Sequence, residues 1–99
     1  MSFYTIKEAI RDGACLNLAL ADGEHIVEPY LLGRNARGDT LLRAYEVRGP
    51  RGVSAASRWK LIRLECIDRA VETGRRFTRS RPGYKPNDRT MTGGIIERV

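Results

Sequence analysis

A mainly β domain is what this chain predicts, α+β if its one helix is counted: a small five-stranded barrel with an N-terminal helix and a basic C-terminal tail. Three observations carry that expectation. Apolar residues change from helical spacing to alternation near Gly13, five short runs with turn residues between them then follow at intervals of about ten residues, and from Gly74 onward arginines fall among prolines and glycines. Five strands suit a closed or nearly closed barrel better than a sandwich, which usually needs about seven. Closure also removes the exposed edges of a sheet.

The helix is expected over Phe3 to Arg11, where Phe3, Ile6, Ala9 and Ile10 share one face, Ser2 stands at the N-cap position and Gly13 lies just past the end. Leu16, Leu18 and Leu20 then alternate with Cys15, Asn17 and Ala19 as a first strand. Asp22-Gly23 supplies a turn into a second strand, Glu24 to Gly33, and makes the pair a hairpin. Pro29 cannot donate to a ladder, so a bulge or an edge is expected near the middle of that strand.

Arg34 to Asp39 is a polar loop, and Thr40 to Arg48 the third strand. A longer loop runs from Gly49 through Ser57, followed by a fourth strand over Trp59 to Leu64. Glu65 through Glu72 fits a helical turn as well as a strand; the four strands before it favour a fifth. The barrel with its helix thus occupies residues 1–74. Residues 75–99 form an arginine-rich extension of the same domain, ending over Met91 to Val99 in a turn or two of helix.

Ninety-nine residues make one domain with a single core. No apolar run approaches a membrane span, and Lys7, Glu8, Arg11 and Asp12 interrupt the stretch a signal peptide would need, so a cytoplasmic protein without membrane partners is expected. Cys15 and Cys66 stand far apart with no CxxC spacing, which reads as two reduced thiols unless their strands prove adjacent.

The net charge of +6 is unevenly placed: residues 1–50 hold six basic and seven acidic side chains, residues 51–99 twelve basic and five acidic. Fifteen of the eighteen basic residues are arginine, whose planar fork suits phosphate and carboxylate and which is less strongly hydrated than lysine. An anionic partner follows. Arg75, Arg76, Arg79, Arg81 and Lys85 form the basic tail, with Asp88 the acid among them.

No catalytic constellation is visible. His25 is the only histidine and reads as a surface strand residue without the second and third ligands a metal site needs. Asp39 and Glu46 have no evident partner, and neither a phosphate-cradling loop nor a dinucleotide fingerprint occurs. The chain is therefore expected to be no enzyme and to need no cofactor.

What remains is decided by strand period. Leu42 and Ala44 point to one face of the third strand, and Leu41, Arg43, Tyr45 and Val47 to the other; Ile62 and Leu64 oppose Trp59, Leu61 and Arg63 in the fourth. If the two strands pair, Arg43, Tyr45, Trp59 and Arg63 share a surface of cations and flat rings suited to a phosphate and a stacked base. The other arrangement packs Tyr45 and Trp59 under the helix and leaves the arginines on the surface.

Val27-Glu28-Pro29-Tyr30-Leu31-Leu32-Gly33, Leu42-Arg43-Ala44-Tyr45 and Trp59-Lys60-Leu61-Ile62-Arg63-Leu64 followed by Ile67, together with Arg81-Pro82-Gly83-Tyr84-Lys85, resemble the WYL domain family in its short stand-alone bacterial form. Thr40-Leu41-Leu42 occupies the place of the triplet that names the family and keeps its leucine. The resemblance implies an Sm-like or SH3-like barrel acting as a sensor or regulatory module in transcription, with a nucleotide or single-stranded nucleic acid as ligand. The matching ligand-binding positions are Arg43, Tyr45 and Arg63, with Tyr30 and Lys60 matching less closely. About a dozen residues precede the first strand, too few for a helix-turn-helix, so a stand-alone module is expected. The competing expectation is a module that docks on an acidic protein or on a second copy of itself, with no small ligand.

Overall fold

A computed structural model describes residues 2–53 and 58–99. Helix α1 (Phe3–Asp12) opens the chain and is followed by β1 (Ala14–Leu20), β2 (Gly23–Arg34), β3 (Thr40–Arg48), β4 (Trp59–Arg63), a 3-10 turn over Leu64–Cys66, β5 (Arg69–Arg76) and β6 (Gly94–Arg98). Ile6, Ala9 and Ile10 lie on the buried face of α1, as their spacing predicts. Ser2 occupies the N-cap position without a capping bond from its hydroxyl. Gly13 ends the helix in the left-handed conformation at φ +68°, where an added Cβ would lie 2.7 Å from Arg79 Nε.

The strands form one antiparallel sheet in the order β4-β3-β2-β1-β5, with β6 also paired to β2. The sheet is open, in contrast to the closed barrel expected: β4 and β5 lie at opposite ends of the strand order and are not bonded to one another among the described residues. Two local features keep them apart. Strand β4 leads straight into the 3-10 turn, and the Asp68 N–H then bonds to the Ala19 carbonyl, which commits the following strand to β1. The fifth strand consequently begins at Arg69 rather than in the Glu65 region. Of the loop expected from Gly49 to Ser57, residues 54–57 lie outside the described residues, while Gly49 and Gly52 exchange a pair of backbone hydrogen bonds.

Strand β6 replaces the helical turns expected at the C-terminus. Gly93-Gly94 disfavours helix. Strand β2 is also longer than β1 and leaves Leu31 to Arg34 without a partner on that side, and β6 fills the gap with Gly94 opposite Arg34 and Arg98 opposite Leu31. The bulge expected at Pro29 is present: Pro29 faces Ala44 and Leu31 faces Arg43, so Tyr30 is the extra residue.

The main core lies on the inner face, where Leu16 and Leu18 of β1, Val27 and Leu32 of β2, and Leu42 and Ala44 of β3 pack with the α1 face and Ile67. A second, smaller apolar cluster joins Leu31 and Leu41 to Met91, with Tyr84 against it. That cluster fixes the C-terminal segment on the outer face of the sheet.

Candidate functional site

Register brings the two predicted strands together. Tyr45 stands opposite Trp59, Arg43 opposite Leu61, and Leu41 opposite Arg63. Alternation turns these residues away from α1, because Leu42, Ala44 and Ile62 between them pack into the main core. Tyr45 and Trp59 are therefore not covered by the helix. The C-terminal segment lies against them instead.

Five aromatic rings meet there. Tyr30 is fully buried, with Trp59, Phe77 and Tyr84 at centroid distances of 4.9, 5.1 and 5.0 Å. Tyr45 meets Trp59 edge-on at 5.4 Å, and Trp59 and Tyr84 are nearly parallel, 23° apart with centroids separated by 6.2 Å. The indole N–H of Trp59 donates to the Pro82 carbonyl at 2.9 Å. The next residue, Gly83, has φ +92°, and a Cβ there would lie 2.8 Å from the indole nitrogen.

Arg81 holds this segment from below. Its guanidinium makes two parallel bonds to the buried Glu28 carboxylate, at 2.9 and 3.0 Å, and lies 4.4 Å from the centre of the Tyr45 ring. Its backbone N–H donates to the Tyr30 phenol at 3.0 Å. Burial pushes the Tyr30 phenol above its usual range, although the Arg81 amide and guanidinium act against the shift.

Beyond Trp59 the segment leaves an open cleft of about 660 Å³, walled by Trp59 and Tyr84 and edged by Arg43, Lys85, Asp88 and Arg89. Arg43 Nε donates to Asp88 Oδ2 at 2.8 Å, and the Thr90 backbone N–H donates to Oδ1 at 2.9 Å. Burial raises the acidity constant of Asp88, but the bonds from Arg43 and Thr90 outweigh it and hold the carboxyl below its ordinary value. Lys85 and Arg89 have no carboxylate partner among the described residues. Three cations against one carboxylate leave the cleft with two surplus positive charges.

The candidates from the sequence divide accordingly. Arg43, Trp59 and Lys85 line the cleft. Tyr45 is held between strands and segment, with Arg58 and Arg81 over its ring. Tyr30 is enclosed, and Arg63 faces outward beside Asp39 and Glu65. Lys60 pairs with Ala44 on the inner side, opposite to Tyr45 and Arg43, because β4 alternates around Trp59. Of the tail arginines, Arg76 and Arg79 donate to the carbonyls of Asp12 and Arg11 at the end of α1, a favourable place for cations. Arg81 is held by Glu28, and Arg75 is exposed. Tyr84, Asp88, Arg89 and Thr90 were not among the candidates; their signal was a tyrosine and a lone acid set among arginines.

His25 is also not the plain surface residue expected. Its side chain is 12% exposed, with Nε2 2.8 Å from Asp22 Oδ1 and Nδ1 at hydrogen-bond distance from Glu46. Burial alone would lower its basicity, yet the two carboxylates outweigh burial and raise it.

Comparison with protein-family models, curated proteins and solved structures gives no match. The resemblance to the WYL family rests on the residue pattern alone. Among the described residues no helix is long and apolar enough to cross a membrane, and no group of three or more His, Cys, Asp or Glu side chains could hold a metal ion.

Proposed function

We propose that this chain is a non-enzymatic WYL-type binding module that takes an anionic ligand with a planar part, a nucleotide or single-stranded nucleic acid, in the cleft between Trp59 and residues 83–90. The observation that carries the reading is the juxtaposition of the Trp59–Tyr84 wall with Arg43, Lys85 and Arg89. Flat rings offer a stacking platform worth ~1–3 kcal/mol per base, and the cations supply the complementary charge. A cleft of about 660 Å³ is of the size that small-molecule ligands occupy, roughly 300–1,000 Å³.

The roles divide by how committed each side chain is. Lys85 and Arg89 are free to meet a phosphate. Arg43 is already compensated by Asp88, so it orients the cleft wall and contributes charge only as far as the ligand displaces the carboxylate. Tyr45 and Arg81 support Trp59 and the 81–84 segment rather than touching the ligand. The helix followed by five consecutive antiparallel strands supports an Sm-like relationship, with the sheet left open. A sensor or regulatory role follows from the WYL resemblance.

Trp59 is the only tryptophan, so its emission reports on the cleft directly. Titration with adenosine monophosphate and with a short thymidine oligomer, each at about 50 and about 300 mM salt, is expected to quench it, with weaker binding at high salt. Lys85→Glu combined with Arg89→Glu is expected to abolish the effect. No response to either probe at low salt overturns the proposal; a response to the mononucleotide alone selects the small-ligand form.

A further inference from the structure

The C-terminal segment covers only part of the outer face. Beside β1 and β5, Asn17, Ala19, Ile26, Val71 and Thr73 line a second open groove of about 620 Å³. Val71 is 50% exposed at its edge. Asn17 Oδ1 is shielded from solvent and accepts no hydrogen bond among the described residues, while its amide nitrogen donates to Glu24 at 3.3 Å. Strand β5 itself pairs only with β1, so its other row of backbone groups faces no strand.

We propose that this groove and the free edge of β5 accept a short, extended, acidic segment of a partner protein, added as a further strand beside β5. Strand addition uses backbone groups that an edge leaves unpaired, and side-chain contacts supply the selectivity. One side chain of the added strand lies over Val71 into the groove, where a donor satisfies Asn17 Oδ1. The length is set by β5: the register slips between Leu16 and Ala14, around Thr73 and Gly74, so the regular stretch is Arg69 to Glu72.

Charge selects the partner. Strand β5 carries Arg69, Arg75 and Arg76 against Glu72, a surplus of two positive charges. The other end of the sheet, β4, carries Lys60 and Arg63 and no acid. Pairing the two edges of separate copies would bring like charges together, whereas an acidic strand meets complementary charge at β5.

The test is a titration of the isotope-labelled chain with a synthetic peptide alternating glutamate and valine, ending in threonine, against its lysine counterpart. The expected result is shifts of the Arg69–Glu72 amides and the Asn17 side-chain amide with the acidic peptide only. Arg69→Glu with Arg75→Glu should weaken that binding about tenfold or more, and Lys85→Glu with Arg89→Glu should leave it unchanged. Three results overturn the proposal: shifts confined to the Trp59–Tyr84 cleft, equal binding of the lysine peptide, or no shift with either. Sedimentation of the free chain as a dimer, lost with the Arg69→Glu and Arg75→Glu changes, would assign the edge to a second copy instead. Loss of nucleotide binding at the cleft would leave these outcomes untouched.

Discussion

Glu28 and Arg81, 53 residues apart in sequence, meet in a two-pronged ion pair at 2.9 and 3.0 Å. The carboxylate belongs to the central strand and the guanidinium to the segment that crosses it. One contact therefore sets where the C-terminal segment lies, and with it the position of Pro82, Gly83 and Tyr84 around Trp59.

Arg81→Ala should destabilise the fold by about 2–3 kcal/mol, because it leaves Glu28 buried without its cation; the partial exposure of Arg81 keeps the loss below that of a fully buried pair. Arg81→Lys restores charge but not the fork, and recovers only part of the loss. Urea unfolding midpoints check both, and Trp59 emission should shift to the red in each variant.

His25 gives a pH dependence with a definite sign. Its folded basicity is raised, so its contribution to stability is fully present below the ordinary histidine value of 6.5 and is lost as pH rises through the elevated folded value. Thermal unfolding from about pH 5 to pH 9 should show a decline in the native chain that His25→Gln lacks. Equal slopes in the two proteins would contradict the clasp between Asp22 and Glu46.

Asp88 behaves oppositely. Its folded acidity is strengthened, so its contribution holds above the ordinary carboxyl value of 3.8 and is lost as pH falls through the lower folded value. Asp88→Asn should blunt that acid limb. By freeing Arg43 it should also tighten nucleotide binding about three- to tenfold at low salt, measured by Trp59 quenching.

Gly83→Ala places a methyl group where the indole nitrogen stands and asks alanine to adopt φ +92°. Loss of the Trp59–Pro82 bond should follow, with a cost of about 1–3 kcal/mol and weaker ligand binding. A far smaller effect is expected from Gly38→Ala, since that position has the same sign of φ but open space around it.

Period alone exposed much of this architecture. Leu16 and Leu18, Leu42 and Ala44, and the Ile6–Ala9–Ile10 face each landed in the main core, and Pro29 marked the bulge because its missing donor leaves no alternative. Alternation also placed Arg43, Tyr45 and Trp59 on a common face. It would have excluded Lys60, which sits beside Trp59 in sequence and hence on the opposite side.

What period cannot report is which backbone edge a distant segment will fill. Neither the open sheet nor β6 has a local signature: Ile95 and Ile96 suit a strand or a helix, and the vacancy beside Leu31 to Arg34 exists only once β1 and β2 have paired. The tail arginines misled for a similar reason. Their composition announces affinity for anions, while three of them satisfy helix-end carbonyls or Glu28 within the chain.

The pairing of β6 with β2 has a consequence for how this molecule is made. Arg34 waits for Gly94, some sixty residues later, before its half of the sheet is complete. During synthesis the helix and the first hairpin can associate early through local contacts, but the cleft cannot assemble until the last stretch of chain has left the ribosome. Ligand competence is thus a late event, gained in the final step of folding.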